Sequence, residues 1–396
     1  MKTKYLLYAL ACTLSIGKIK AADLYVRDLG AGGAYATISA AITAANNGDR
    51  IIIKPKIGNV PYLENISINK SLTFVSETNF SKYYIQGTIV IVPAADRVVN
   101  IHNMYAFQSN VGITPTPFTG GRCTVNIANC TVDMNLNFAD TKNVTTNVYG
   151  SSFNSLYFVH GKIIGNITND IHLRSDAAPL ALSDIYINAN KSNWIDLITT
   201  NYPLNVLNND VSNTGTSFGS LEIKDIKSGS TNTIQNNRFL TTALNASFAP
   251  IYINTGNTTG IVNISNNILN SGTANVSEIV ASAAITVIAN YNLSTSPFNT
   301  TGVDIQNNNI GSANYSLDLN NLTFSGAIIN AGTPDEEYQD LDLTRNDIGP
   351  LGGSNSWINY WPSTAGNKPR VMFLNTPRRV YQGTTSIQAE ATGISK

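Results

Sequence analysis

Val206-Leu207-Asn208-Asn209-Asp210-Val211 is a short phrase: apolar, one residue, two asparagines, one residue, apolar. It returns as Ile234-Gln235-Asn236-Asn237-Arg238-Phe239, as Ile264-Ser265-Asn266-Asn267-Ile268-Leu269 and as Ile305-Gln306-Asn307-Asn308-Asn309-Ile310. The intervals between first asparagines are roughly 28, 30 and 41 residues, the range in which self-similarity signals a solenoid. A tight turn between two strands needs a residue that accepts positive φ, and Asn does so. Its amide also bonds to the same amide one coil away, which predicts a ladder along the stack. The wider interval before Asn307 predicts an inserted loop at that point.

Composition agrees with this reading. Asparagine contributes 52 of 396 residues, and Asn favours turns over helix interiors because its side chain competes for backbone hydrogen bonds. Hydrophobic residues make up 42%, enough for a large core. Only 13% of residues are charged and the formal net charge is zero. Such a chain has no electrostatic footprint for nucleic acid or an anionic membrane. A solenoid grows by adding coils, so the length does not imply several domains. At roughly 22 to 30 residues per coil, about ten to twelve coils fit.

The first residues read as a secretory signal peptide. Lys2 and Lys4 precede an apolar run from Tyr5 to Gly17, with small residues at Ala21 and Ala22. The run is too short to span a bilayer, and no later apolar stretch is long enough. The expectation is a secreted or cell-surface protein of bacterial type, with no membrane-spanning segment after residues 1–22. The remaining cysteines, Cys123 and Cys130, are spaced to close a small disulfide loop or to stay as two buried thiols.

The mature chain opens with Thr37-Ile38-Ser39-Ala40-Ala41-Ile42-Thr43-Ala44-Ala45. Ile38, Ala41, Ile42 and Ala45 recur at helical spacing, and Thr37 is a candidate N-cap. Arg50-Ile51-Ile52-Ile53-Lys54 then reads as a buried strand. From about residue 95 to 330 short strands and turns alternate with no helical pattern, which argues against βαβ units. Short strands and few charges also argue against an outer-membrane barrel. The fold expected is all-β: a single-stranded right-handed parallel β-helix over 23–353 with an N-terminal α-helical cap. A C-terminal extension, 354–396, follows, and Arg370–Leu374 and Ser386–Glu390 are its candidate strands.

Tyr35-Ala36-Thr37-Ile38, Ala40-Ala41-Ile42, Ala44-Ala45, Gly48-Asp49, Ile51-Ile52-Ile53, Pro55, Tyr62-Leu63-Glu64-Asn65-Ile66 and Leu72-Thr73-Phe74-Val75 follow one another in an order that resembles pectin-lyase-like parallel β-helix proteins. The stretch is most similar to the first coils of pectin methylesterases. Asp340 to Gly353 resembles the terminal coil of secreted bacterial β-helix proteins. The catalytic stretches of these families are absent. Where pectate lyases carry Trp-Ile-Asp-His, this chain has Trp194-Ile195-Asp196-Leu197, and Pro377-Arg378-Arg379 is a poor echo of their arginine motif. The resemblance therefore implies the fold and transfers no catalytic residue.

Charges are sparse, so their clustering carries information. His160 and Lys162 alternate, as do His172 and Arg174, with Asp176 next. With coils near 24 to 26 residues, roughly the repeat interval, His172, Asp196 and Glu222 form a column with Arg174 and Lys224 beside it. A polysaccharide lyase needs a cation near the uronate carboxylate and a base for the α-proton. The plainer reading is a wet outer face whose ion pairs contribute little. Asp340, Asp342 and Asp347 offer hard oxygen ligands for Ca²⁺, the one cofactor the sequence suggests, or else acceptors for a turn. Trp357, Tyr360 and Trp361 suggest either sugar stacking or a cap over the stack. The preferred expectation is a non-catalytic β-helix that contacts extracellular polysaccharide or another cell-surface component. A polysaccharide lyase or glycoside hydrolase with a divergent site is the alternative.

Overall fold

The computed structural model describes residues 21–394 other than 80, 114–120, 140–142, 175–183, 200, 216–218, 243–247, 257, 273–275, 283–284, 361–369, 377–379 and 381. The expected signal peptide lies almost wholly outside these residues, as do Asp176 and Trp361.

The chain winds as a parallel β-solenoid. One sheet has thirteen strands, from Asp23–Val26 to Ile305–Asn307, and a second has eleven, from Ile66–Ile68 to Thr300–Thr301. A third side is built from a five-stranded and a four-stranded sheet, joined through single bridges at Ile167 and continued through Leu293 and Ile310. The pairing in these sheets is parallel, and like stacks on like. Ile163, Ile187, Val206, Ile234, Ile264 and Ala289 share one inward column of the thirteen-stranded sheet, and all are fully buried. Each large aliphatic in such a column contributes about 1.5–3 kcal/mol by leaving water.

The repeated phrase makes the corner between the first and third sides. Asn208, Asn236 and Asn266 sit in the left-handed region at φ 51°, 54° and 57°. Their neighbours Asn209, Asn237 and Asn267 point into the corner and are fully buried. Each donates to the next coil's amide oxygen and to a carbonyl of the coil before. The ladder runs Asn166, Asn190, Asn209, Asn237, Asn267, Asn292, Asn309, with steps of 2.9 to 3.0 Å. A buried amide is costly unless paired, and the stack pairs each with its successor.

Two expectations change here. The fourth phrase is shifted by one residue. Asn308 takes the left-handed turn at φ 55° and Asn309 the ladder position, while Asn307 lies in a strand. Among the described residues the long interval is not an inserted loop. A full coil intervenes, in which Tyr291 takes the turn at φ 55° and Asn292 the ladder. The long interval is two coils, with ladder steps of 25 and then 17 residues.

At the N-terminal end the helix Ile38–Ala44 buries Ile38, Ala41 and Ile42 against Asp23–Val26, Arg50–Ile53 and Ile66–Ile68. Thr37 Oγ1 accepts from Ala40 N at 3.1 Å. Glu64 accepts from the Ile38 and Ser39 N–H groups at 2.9 Å, and Lys70 Nζ donates to the Ile42, Thr43 and Ala45 carbonyls. Both helix ends are satisfied by side chains of the next coil, with charges that complement the helix dipole.

The parallel ladder stops at the Ile310 bridge. After an antiparallel pair, Tyr315–Asp318 with Thr323–Gly326, the chain runs back along the outside of the asparagine turns. Asn266 takes Thr333 N on Oδ1 at 2.8 Å. Asn236 Nδ2 donates to Asp347 O at 2.7 Å, and Asn208 Nδ2 to Gly352 O at 2.7 Å. Asp340 to Gly353 is thus a series of turns docked on the coils and not a coil itself. Arg370–Asn375 and Glu390–Ile394 form a separate antiparallel hairpin.

Candidate functional site

The eleven-stranded sheet carries the charged cluster on its outward face. Tyr157, His172, Asp196, Glu222 and Tyr252 stand on successive strands in one register column. The expected column of His172, Asp196 and Glu222 is therefore a geometric fact. Arg174 stands one position along from it on the same face. Lys224 reaches the cluster through a β-bulge: Leu197 pairs with Ile223 and Ile198 with Asp225, which leaves Lys224 as the extra residue. A bulge re-aims a side chain out of the regular pleat.

Asp196 is the centre. Arg174 Nη1 donates to its Oδ2 at 2.9 Å, and Lys224 Nζ lies 2.9 Å from Oδ1 and 3.2 Å from Glu222 Oε2. His172 Nδ1 lies 3.2 Å from Arg174 Nη2 and 3.5 Å from Asp196 Oδ2. Burial alone would raise the Asp196 carboxyl. The contacts with His172 and Lys224, and the Arg174 charge, outweigh burial and hold it at about 2. Burial would lower the Lys224 ammonium, but its two carboxylate partners push its pKa up instead. The carboxylate side chains are 3% and 9% exposed, against 32% for Arg174 and 43% for Lys224. The anions thus lie behind and the cations face solvent.

Aromatic rings frame the cluster. Tyr157 stacks on His172 with centroids 4.5 Å apart, and Trp194 meets His172 edge-on at 5.0 Å. Lys224 Nζ lies 5.5 Å from the Trp194 ring centre, and the Arg174 guanidinium 5.9 Å from that of Tyr157. Sequence spacing did not bring Tyr157 and Tyr252 into this column. The coils between them differ in length, so no fixed period finds both.

The other candidates lie elsewhere. His160 and Lys162 belong to the thirteen-stranded side: His160 Nδ1 lies 3.2 Å from Thr145 Oγ1, and Lys162 pairs with Glu390. Trp357 is 1% exposed and packs with Ala128, Tyr149, Ile164, Leu351 and Phe373, so it offers no sugar platform. The Tyr360 side chain and Trp361 lie outside the described residues.

The three aspartates do not assemble into a metal site, because backbone donors of the turns take their oxygens. Asp340 accepts from Asp347 N at 3.0 Å and from Gly353 N, Asp342 from Thr344, and Asp347 from Asn330 N at 2.6 Å. Among the described residues no group of three or more His, Cys, Asp or Glu side chains is placed to hold a metal ion.

Cys123 and Cys130 are unpaired. They sit near opposite ends of the strand Cys123–Ala128, whose extended backbone keeps them apart. Cys130 takes the corner position that asparagine fills in later coils, with its Sγ 3.4 Å from the Ile101 carbonyl. No helix among the described residues is long and apolar enough to cross a membrane.

Comparison of the chain with protein-family profiles, with curated proteins and with solved structures found no match.

Proposed function

We propose that this chain is a secreted or cell-surface β-helix that binds an acidic polysaccharide on the outward face of its eleven-stranded sheet without turning it over. The observation that carries the reading is the arrangement around Asp196. A buried carboxylate fixes two cations whose heads face solvent between Tyr157, Trp194 and Tyr252. A guanidinium matches a uronate carboxylate in charge and geometry, and aromatic rings give a flat apolar surface to a sugar face. The charged start and short apolar run of residues 2–22, read as a signal peptide, are what suggest export. The order of elements in residues 35–75, which resembles the first coils of pectin-lyase-like proteins, is what suggests a glycan as the ligand class to test.

For two groups of the cluster the same chemistry speaks against service as a catalytic base. A lyase needs a group that accepts a proton near neutral pH. Asp196 is held at about 2 and the Lys224 ammonium is pushed up, so neither serves. The test is affinity electrophoresis through polygalacturonate, alginate and a neutral glucan. The expected result is retardation by one or both acidic polymers, reduced about tenfold in apparent affinity, or 1.4 kcal/mol, by Arg174→Ala or Lys224→Ala. Unsaturated products that disappear with Arg174→Ala would replace this reading with the lyase one.

A further inference from the structure

A second site stands on the other broad side of the solenoid. The outward face of the thirteen-stranded sheet carries Asn100, Asn126 and Asn147 in one register column, followed by Lys162. These amides form a short outer ladder, separate from the buried one. Asn100 Nδ2 donates to Thr73 Oγ1 at 3.0 Å, Asn126 to Asn100 at 2.8 Å and Asn147 to Asn126 at 2.8 Å. The Lys162 backbone N–H closes the series on Asn147 Oδ1 at 3.0 Å. All three asparagines are half-buried.

The C-terminal hairpin lies across the end of this ladder. Phe373 meets the Tyr186 ring edge-on at 5.1 Å, and Glu390 pairs with the buried Lys162. Beside the hairpin a cleft of about 310 Å³ remains, lined by the three asparagines, His102, Tyr149, Lys162, Glu390 and Thr392. That volume is at the lower end for small-ligand pockets, the size of one or two sugar rings.

We propose that this cleft binds a neutral saccharide unit, with the Asn100–Asn126–Asn147 amides as its recognition surface. An asparagine amide has two N–H donors and an oxygen with two lone pairs. The ladder engages one N–H of each asparagine and one acceptor site of each oxygen. The remaining donor and acceptor repeat at the strand spacing of about 4.8 Å. Sugar hydroxyls both donate and accept, so they match such a surface at successive rungs. The formal charges in the lining, Lys162 and Glu390, cancel each other. Burial pushes the His102 imidazole down and so disfavours its charged form. The site is distinct in charge and position from the cluster around Asp196, and it does not depend on that cluster's role.

The test is calorimetric titration of the full chain with maltose, cellobiose, lactose and chitobiose. Two variants accompany it. Asn126→Leu removes the central amide at similar volume, and Gly393→Trp fills the cleft from the hairpin side and leaves the ladder intact. The expected result is saturable binding of at least one disaccharide, weakened about tenfold or more by whichever variant retains the wild-type circular dichroism spectrum. Absence of binding across the panel overturns the proposal, as does binding unchanged in a folded variant. Disaccharide binding lost in Arg174→Ala but kept in Gly393→Trp overturns it too, and assigns the ligand to the charged face.

Discussion

Asn237 and Asn267, thirty residues apart in sequence, join amide to amide at 2.9 Å inside the solenoid corner. Asn237 also donates to the Val206 carbonyl at 2.8 Å and accepts from Asn209. The second asparagine of each phrase is therefore a structural member with its hydrogen-bonding capacity engaged in three directions. Asn237→Ala would strand the Asn209 donor and open a polar hole. A destabilisation of about 3 kcal/mol is expected from one or two buried groups left unpaired. Urea unfolding measures it, and a loss below about 1 kcal/mol would contradict the ladder as a stabilising element.

The first asparagine has a different task. Asn236 holds a left-handed turn and docks Asn346 and Asp347 through its side chain. Asn236→Gly keeps the backbone freedom and removes only the docking. Limited proteolysis should then cut within 354–396 several times faster, with the main unfolding transition shifted by less than about 1 kcal/mol. Unchanged cleavage would mean that the returning segment is held by other contacts.

Asp196 gives stability a low-pH limb. Its folded carboxyl sits at about 2, below the ordinary 3.8. A depressed carboxyl stabilises the fold above the unfolded pKa, and that contribution fades as pH falls from about 4 towards 2. The total is on the order of 2 kcal/mol. Thermal unfolding of Asp196→Asn should show a flatter acid limb than wild type. A limb of unaltered slope would refute the assignment.

Glu278 acts in the opposite direction. It is fully buried, its Oε1 accepts from Ser294 at 2.6 Å, and burial raises its carboxyl to about 7 from 4.5. The unfolded chain loses this proton first, so the contribution falls as pH rises from about 4.5 to 7, by about 3 kcal/mol in all. Glu278→Gln should raise the unfolding midpoint at pH 8 and leave it nearly unchanged at pH 4. A midpoint at pH 8 no higher than wild type would sink the prediction.

The two faces of the Asn-Asn phrase differ in how legible they were. That Asn takes a positive-φ turn and stacks its amide is a property of the residue type, and pairs at wide intervals were enough to predict it. Which asparagine does which was not readable. In the fourth phrase three asparagines follow one another, and only packing against Asn292 selects Asn309 for the ladder. The coil carrying Tyr291-Asn292 escaped the pattern because Tyr replaces the first Asn, so its presence read as a loop. The column of His172, Asp196 and Glu222 was legible because the two coils separating them are close to the average length. Tyr157 was missed because a shorter coil separates it from His172, and the aim of Lys224 because a bulge sets it.

The sequence by itself determined that the chain is built of short stacked strands with asparagine corners, and which residues face inward. Those are local properties, set by alternation along a strand and by the left-handed tolerance of Asn. The tertiary structure alone decided the register of distant groups. Successive ladder steps span 24, 19, 28, 30, 25 and 17 residues while each closes at 2.9 to 3.0 Å. Loops outside the coil absorb the difference, so sequence distance does not fix what stacks on what. For the same reason the return of residues 333–353 along the asparagine turns, the Lys162–Glu390 pair and the cleft beside it belong to the fold. They join segments up to 228 residues apart, and no local pattern encodes the join.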